Sequence, residues 1–399
     1  MSNKNKSILC NVCGSKETLM VLTLPRYPLN SVFTENPSFK GIREDFDLYQ
    51  CQKCNHVQAL TALLPEDIYN DNYNFPHTAS GVVTRKKIFL EHILDNFIEL
   101  KFNRVIDIGC NSLSLLSDLK SNGIKANHFI GIDPAPLPED DKSIEKIIFI
   151  QGFAEEVDIP FGKTDLPDLI VSDQVFEHIP NINVMLASFS KKIAVNSVFV
   201  ISVPSLELLT KHYNFQMLIH EHVNYFTEDS LTNLFFFSNP GFLRVTSEFI
   251  TIPHIGTLIQ SFRLTGGQHK RHLLNKINPW IDFNNNFTIY KNQLKVVEEH
   301  LQRLSENEQI YGFGASYIVA ILAYFMESDL SFLTAIIDDT PYKRNKYVPG
   351  VKPRIVSLED VSSLSEVVIF ITAPQASRAI MNRLIPLNPQ MIVSPQFIS

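Results

Sequence analysis

The chain has 399 residues, 45% of them hydrophobic and 19% charged, with 15 glycines and 22 prolines. That is enough to bury a large core, and it excludes a small disulfide-stapled scaffold, a collagen-like repeat and a disordered segment. The net charge is −7 and the longest basic run is Arg85-Lys86-Lys87, so the footprint of a nucleic-acid-binding protein is missing. At about 150 residues per domain, the length predicts two or three domains. No stretch reaches the roughly 18 uninterrupted apolar residues of a membrane span, and the first residues lack the apolar core of a signal peptide. The expectation is a cytoplasmic protein without membrane or nucleic-acid partners.

Four of the five cysteines form two C-x2-C pairs, Cys10/Cys13 and Cys51/Cys54. Two intervening residues let both thiolates of a pair turn onto one ion, and two such knuckles supply a closed tetrahedral sulfur shell that suits structural zinc. A redox C-x-x-C needs no second pair, and disulfides do not persist in a cytosolic chain. The remaining thiol, Cys110, reads as a small buried hydrophobe. Between the knuckles, Leu19–Leu24 and Phe46–Gln50 are strand-like, while Pro25, Pro28 and Pro37 are expected to break the stretch between them into loop.

After a helical segment from about Val82 to Leu100, Arg104–Gly109 reads as a buried strand ending in Asp107-x-Gly109, followed by a helix over Leu113–Leu119. A second strand, Phe129–Asp133, ends in an acid 26 positions after Asp107, where doubly wound folds place a carboxylate on ribose hydroxyls. Further strands are expected at Phe149–Ala154, Leu166–Asp173 and Val198–Val203, with a helix near Val184–Lys191. Five strands alternating with helices predict a parallel sheet with ligand at the strand C-termini.

In the last third, an amphipathic helix over Ile289–Leu304 leads into Gln309-Ile-Tyr-Gly312-Phe-Gly314-Ala-Ser, a helix over Tyr317–Phe325, and strands at Leu333–Asp339 and Val367–Thr372. The α/β pattern therefore repeats. Tyr317 stands where a dinucleotide fingerprint has its third glycine, so the motif for NAD is weak.

Asp107-Ile-Gly-Cys-Asn111 and Phe176-Glu-His-Ile-Pro180 resemble segments of class I methyltransferases. Cys54-Asn-His-Val-Gln58, Tyr69-Asn-Asp-Asn-Tyr73 and His220-Glu221-His222-Val-Asn-Tyr225-Phe226 follow the order found in the sugar C-methyltransferases, as does the late Gly-x-Gly-Ala segment. The resemblance covers nearly the whole chain. It implies three parts: a zinc-binding module at 1–75, a doubly wound class I methyltransferase domain at 76–285, and a Rossmann-like domain at 286–399. It also implies transfer of a methyl group from S-adenosylmethionine to a carbon beside the ketone of a nucleotide-linked 4-keto-deoxysugar. The oligomeric state stays open, and a monomer is compatible with the reading.

By this resemblance the cofactor lies on Asp107, Gly109 and Asn111, its ribose on Asp133, with Asp173 in the same pocket, and zinc on Cys10, Cys13, Cys51 and Cys54. The base maps onto His222. Glu221 is expected to fix or polarise an imidazole, or to bind sugar hydroxyls, with His178 and Tyr73 against the sugar oxygens. Two positions differ from the family pattern. Leu113 replaces a glycine, so its Cβ is expected to crowd the methionine moiety, and Ile219 replaces the tyrosine before H-E-H, leaving Tyr213 or Tyr225 to stand in. His220 and His222 on a strand-like segment could also pair on a metal, but no third ligand is evident nearby. The rival functions are a sugar-nucleotide-binding protein with a decayed cofactor site and an NAD(P)-linked sugar oxidoreductase.

Overall fold

The computed structural model describes residues 8–29, 33–60, 80–144, 146–252, 255–269, 279–316 and 318–395. The first sheet contains β1 (Thr18–Pro28), β2 (Arg43–Cys51) and β3 (Val57–Leu60), each antiparallel to the next. Pro25 and Pro28 lie inside β1 and do not end it. β1 is the edge strand of its sheet, where a missing N–H breaks no ladder, and a register shift between Leu24 and Tyr27 with Arg26 at φ 52° absorbs the distortion.

The central unit contains α1 (Ser80–Phe97), β4 (Lys101–Ile108), α2 (Ser114–Ser121), β5 (Lys125–Asp133), β6 (Ile148–Gln151), β7 (Leu169–Asp173), α3 (Ile182–Ser190) and β8 (Val198–Pro204). These are followed by α4 (Leu206–Lys211), β9 (Asn224–Tyr225), α5 (Glu228–Ser238), β10 (Phe242–Ile252) and β11 (Ile255–Leu264). The seven-stranded sheet runs β10-β11-β8-β7-β4-β5-β6. Its five expected strands are mutually parallel, and the order turns back between β4 and β7, which opens a crevice at their C-terminal ends. The sequence reading missed the β10–β11 hairpin, which adds two antiparallel strands against β8. Exposed Leu243, Val245 and Phe249 on β10 mask its alternation, because an antiparallel edge tolerates one wet face.

The last unit contains α6 (Pro279–Leu304), β12 (Ile310–Phe313), α7 (Val319–Phe325), β13 (Ala335–Ile337), β14 (Ile355–Val356), β15 (Val368–Ile371), α8 (Ser377–Leu384) and β16 (Met391–Val393). Its sheet is parallel, in the order β14-β13-β12-β15-β16. One apolar cluster joins Tyr27 and Phe46 of the first sheet to Leu209, Phe215 and Leu218 of the central unit, and to Tyr290 and Phe325 on α6 and α7. Tyr27 sits at its middle, edge-on to Tyr324 at 4.9 Å, with its hydroxyl donating to the Leu218 carbonyl at 2.6 Å. No helix among the described residues is long and apolar enough to cross a membrane.

Gly256 is where α4 closes on β11: its carbonyl accepts from Ser205 N–H at 2.9 Å, and a Cβ there would lie 2.2 Å from Leu208 Cβ. Gly256→Ala should lower stability by about 1–3 kcal/mol through overpacking, read as a reduced urea midpoint at unchanged slope.

Candidate functional site

The two knuckles have matching geometry. Gly14 N–H donates to the Cys10 carbonyl and Asn55 N–H to the Cys51 carbonyl, both at 2.9 Å, with Gly14 at φ 67° and Asn55 at φ 60°. Glycine and asparagine are the residues that tolerate this left-handed position. None of the four thiols is in a disulfide. Their sulfurs lie within 4.8 Å of one another, with Cys10 to Cys54 and Cys13 to Cys51 at 3.5 Å. A tetrahedral shell with Zn–S bonds of about 2.3 Å has sulfur–sulfur edges of about 3.8 Å, so the donor set and spacing fit zinc.

At the switch point, Asp133 ends β5 and bridges two loops: its carboxylate oxygens accept from Asn111 N–H and Ala135 N–H, each at 2.8 Å. Gly109 has φ 71°, and a Cβ there would lie 2.4 Å from Val175, so the turn after β4 requires glycine. Asp107 is buried beneath this turn, and burial followed by the nearby Asp173 holds its carboxyl well above the usual range. Burial also raises Asp133, against hydrogen bonds from the two backbone N–H groups. Asp173 is paired with Arg85 of α1 and accepts from the Ser202 hydroxyl. Three carboxyl groups thus meet at the C-terminal ends of β4, β5 and β7, two of them raised by burial and the third paired with Arg85. Leu113 does not project into this crevice. Its backbone is ordinary at φ −84°, its N–H donates to Asp141 at 2.8 Å, and its side chain is buried against Gly131 of β5.

His178 and His222 come together from two loops, their ring centroids 5.0 Å apart. His178 Nδ1 lies 2.8 Å from the Glu221 backbone carbonyl, so Glu221 orients the imidazole through its main chain. The Glu221 side chain is buried, its Oε2 has no hydrogen-bond partner among the described residues, and burial pushes its carboxyl up to about 7. Burial, and then His178, hold His222 well below its ordinary value, so its imidazole is neutral at pH 7. The H-E-H segment is a turn and not a strand, with His222 N–H donating to the Ile219 carbonyl at 3.1 Å. His220 therefore serves elsewhere, against Phe46 and 3.3 Å from the Tyr27 carbonyl. The third group beside the pair is Glu177, which the sequence reading quoted within its motif without assigning it a role; one ligand-capable atom each of Glu177, His178 and His222 lies within 4.8 Å of the others. Tyr225 places its hydroxyl on Ile219, accepting from its N–H at 3.1 Å. Tyr213 packs beside the shared apolar cluster at φ 56°. Tyr73 lies outside the described residues, as does Tyr317.

Asn224 links this pocket to the cysteines. Its Nδ2 donates to the carbonyls of Phe176 and Ile179 at 3.0 and 2.8 Å, bracketing Glu177 and His178. Its Oδ1 accepts from Asn11 Nδ2 at 2.9 Å and from His56 Nε2 at 3.2 Å. Asn11 lies inside the first knuckle and His56 directly after the second. β3 extends the same connection by pairing with β9.

In the last unit the corresponding acid, Asp338, accepts from Ala315 N–H at 2.9 Å and Thr340 N–H at 3.0 Å, and is ion-paired with Lys343 at 3.1 Å. The carboxylate that would hold a nicotinamide cofactor's ribose is therefore engaged by a lysine.

The strand order and the loops at the switch point define a class I methyltransferase fold. Residues 84–242 match the methyltransferase domain family, and residues 261–389 match the family described as the C-methyltransferase C-terminal domain. The C-methyltransferase NovU of Streptomyces niveus is 26% identical over 233 residues, 57% of this chain and 54% of that protein. The chain thus spans about half the length of the curated relative it matches. Among solved structures, the N-methyltransferase NodS of Bradyrhizobium japonicum, in complex with S-adenosyl-l-homocysteine, is similar at 15% identity and a TM-score of 0.37, covering 49% of this chain and 93% of that one. The 1,6-didemethyltoxoflavin-N1-methyltransferase of Burkholderia thailandensis gives 17% identity and a TM-score of 0.38, covering 54% of this chain and 97% of that one. Residues 84–242 and 261–389 of this chain therefore carry a methyltransferase domain and a C-methyltransferase C-terminal domain.

Asn224→Asp preserves shape but removes both donated hydrogen bonds. With two buried carbonyls unpaired at about 1–3 kcal/mol each, it should lower stability by at least about 2 kcal/mol in urea denaturation. Glu221 has a folded pKa of about 7 against an ordinary 4.5, so the folded chain binds its proton more tightly than the unfolded one. The Glu221 contribution to stability is therefore present at low pH and is lost as pH rises from about 4.5 to 7, at up to about 1.4 kcal/mol per pH unit. Subtracting the curve of Glu221→Gln from that of the wild type should isolate this slope, and a flat difference would assign the pH dependence elsewhere.

Proposed function

We propose that this chain transfers a methyl group from S-adenosylmethionine to a carbon beside the ketone of a nucleotide-linked 4-keto-deoxysugar. The observation that carries the reading is the buried, neutral His222 packed against His178 beside the switch-point crevice, in a chain that carries a C-methyltransferase C-terminal domain. A carbon acid beside a ketone needs a positioned base and a polar group to hold the developing oxyanion.

In this reading Asp107, Gly109, Asn111, Asp133 and Asp173 form the cofactor crevice, with the Asp133 carboxylate on the ribose. S-adenosylmethionine supplies an electrophilic methyl group on a sulfonium. His222 takes the proton: the sugar C–H bond breaks, an N–H bond forms, and the electron pair moves onto the ketone oxygen. His178, oriented by the Glu221 carbonyl, lies with Tyr73 against the sugar oxygens. A structural zinc ion on Cys10, Cys13, Cys51 and Cys54 holds the knuckles, and through Asn224 it fixes the loop that carries His178. Residues 1–75, 76–285 and 286–399 are assigned to the zinc module, the methyltransferase core and the C-terminal unit.

Four sets of measurements test the reading. Incubation with a panel of 4-keto-sugar nucleotides and S-adenosylmethionine should add one methylene to a sugar by mass spectrometry; no product from any member removes the substrate assignment. His222→Ala should lower kcat by about 10^2 to 10^4, with cofactor affinity little changed. It should also abolish exchange of the sugar hydrogen in D2O, and exchange that persists would move the base to another residue. Asp133→Ala should weaken cofactor binding by about 1–3 kcal/mol, measured by calorimetry. Purified protein should hold about one zinc per chain, and Cys51→Ser should lower both zinc content and thermal stability.

A further inference from the structure

Glu177 is an ionisable group at the centre of this pocket that the proposed reaction does not use. Its side chain is 1% exposed, its Oε1 lies 3.9 Å from His178 Nε2, and its Oε2 has no hydrogen-bond partner among the described residues. The proton on His178 can be placed by geometry. Nδ1 is 2.8 Å from the Glu221 carbonyl, which can only accept, so Nδ1 carries the hydrogen and Nε2 of the neutral ring carries the lone pair. An ionised carboxylate facing that lone pair would set two acceptors against each other in a buried site. A proton on Glu177 removes the conflict.

We propose that Glu177 is a positioning residue: a neutral carboxylic acid packed beside Nε2 of His178 that keeps the His178–His222 pair uncharged, next to an imidazole whose Nδ1–H tautomer the Glu221 carbonyl fixes. Burial pushes the Glu177 carboxyl up to about 8, opposed by Arg85 on α1 and reinforced by Asp173 at the end of β7. Burial also lowers His178, which favours the neutral ring. Around Glu177 the ionisable groups are thus Arg85, already paired with Asp173, together with Asp173, His178 and His222. The proton-transfer step that this arrangement serves rests on the function proposed above, whereas the placement of the proton is a property of the free chain.

The test is NMR of the full-length, substrate-free protein labelled with ring-15N histidine, between pH 6 and 9.5. At pH 7, His178 should show a protonated Nδ1 and an unprotonated Nε2, and both His178 and His222 should report an inflection near the Glu177 value of about 8. Glu177→Gln keeps a donor but cannot titrate, so the tautomer should persist and the inflection should vanish. Glu177→Ala should likewise lose the inflection and keep the tautomer that the Glu221 carbonyl fixes; if that variant does not fold, the isosteric glutamine variant and the wild-type tautomer carry the test alone. An Nε2–H tautomer at pH 7, or an inflection that survives in Glu177→Gln, overturns the proposal. So does uptake of a second Co2+ per chain that Glu177→Gln abolishes, because the three groups would then be a cation site. Absence of methyl transfer to every ketosugar tested would count against the function and leave these spectra unchanged.

Discussion

The side-chain amide of Asn224 makes every hydrogen bond an amide can make, and the site depends on that saturation. Two donors and two acceptor positions are filled from four backbone and side-chain groups in three segments of the chain. Reversing the amide would break all four contacts at once, so its orientation is fixed, and with it the His56 tautomer. Burial holds His56 neutral at about 4, which leaves its Nε2–H as a donor. The consequence is mechanical. The loop carrying Glu177 and His178 cannot shift without disturbing Asn11 in the first knuckle or His56 after the second. The position of an imidazole is thereby coupled to the four-cysteine cluster.

Much of the central sheet was legible because its strands are short apolar runs, three of which reach an acid at or near their C-terminal ends. Asp107, Gly109 and Asp133 stand out for this reason. Asn224 did not, although it lies in the quoted H-E-H segment, because its role comes from contacts 45 to 213 positions away in sequence. Glu177 was hidden in the same way: its chemistry arises from burial, which spacing does not reveal. Prolines misled in the opposite direction. Pro25 and Pro28 carry a strong local signal for loop, but tertiary context placed them on an edge strand, which pairs with β2 on one side only and has no ladder on the other. The H-E-H segment misled through periodicity, since alternate histidines share a face only where the backbone is extended.

The division into units is also blurred by packing. Tyr27, Phe46, Phe215, Tyr290 and Phe325 belong to one apolar cluster, so the first sheet and the last sheet are held to the central unit by aromatic contact as well as by chain connection. Helix α6 carries Tyr290 and Leu294 into that cluster at a spacing of four residues, which is why its sequence reads as an amphipathic connector.

The two parallel sheets use one device for different ends. Asp133 and Asp338 each end a strand and each accept two backbone N–H groups, tying the loop after the preceding strand to their own loop. In the last unit, Lys343 neutralises the acid and stacks over Phe33 at 5.3 Å, so the carboxylate is taken up in holding the first segment against the last. In the central unit, burial raises Asp133, and it raises Asp107 although Lys86 pulls that carboxyl down. The two acids therefore share a framework of two accepted backbone N–H groups, to which, among the described residues, Asp338 adds a lysine ion pair and Asp133 adds none.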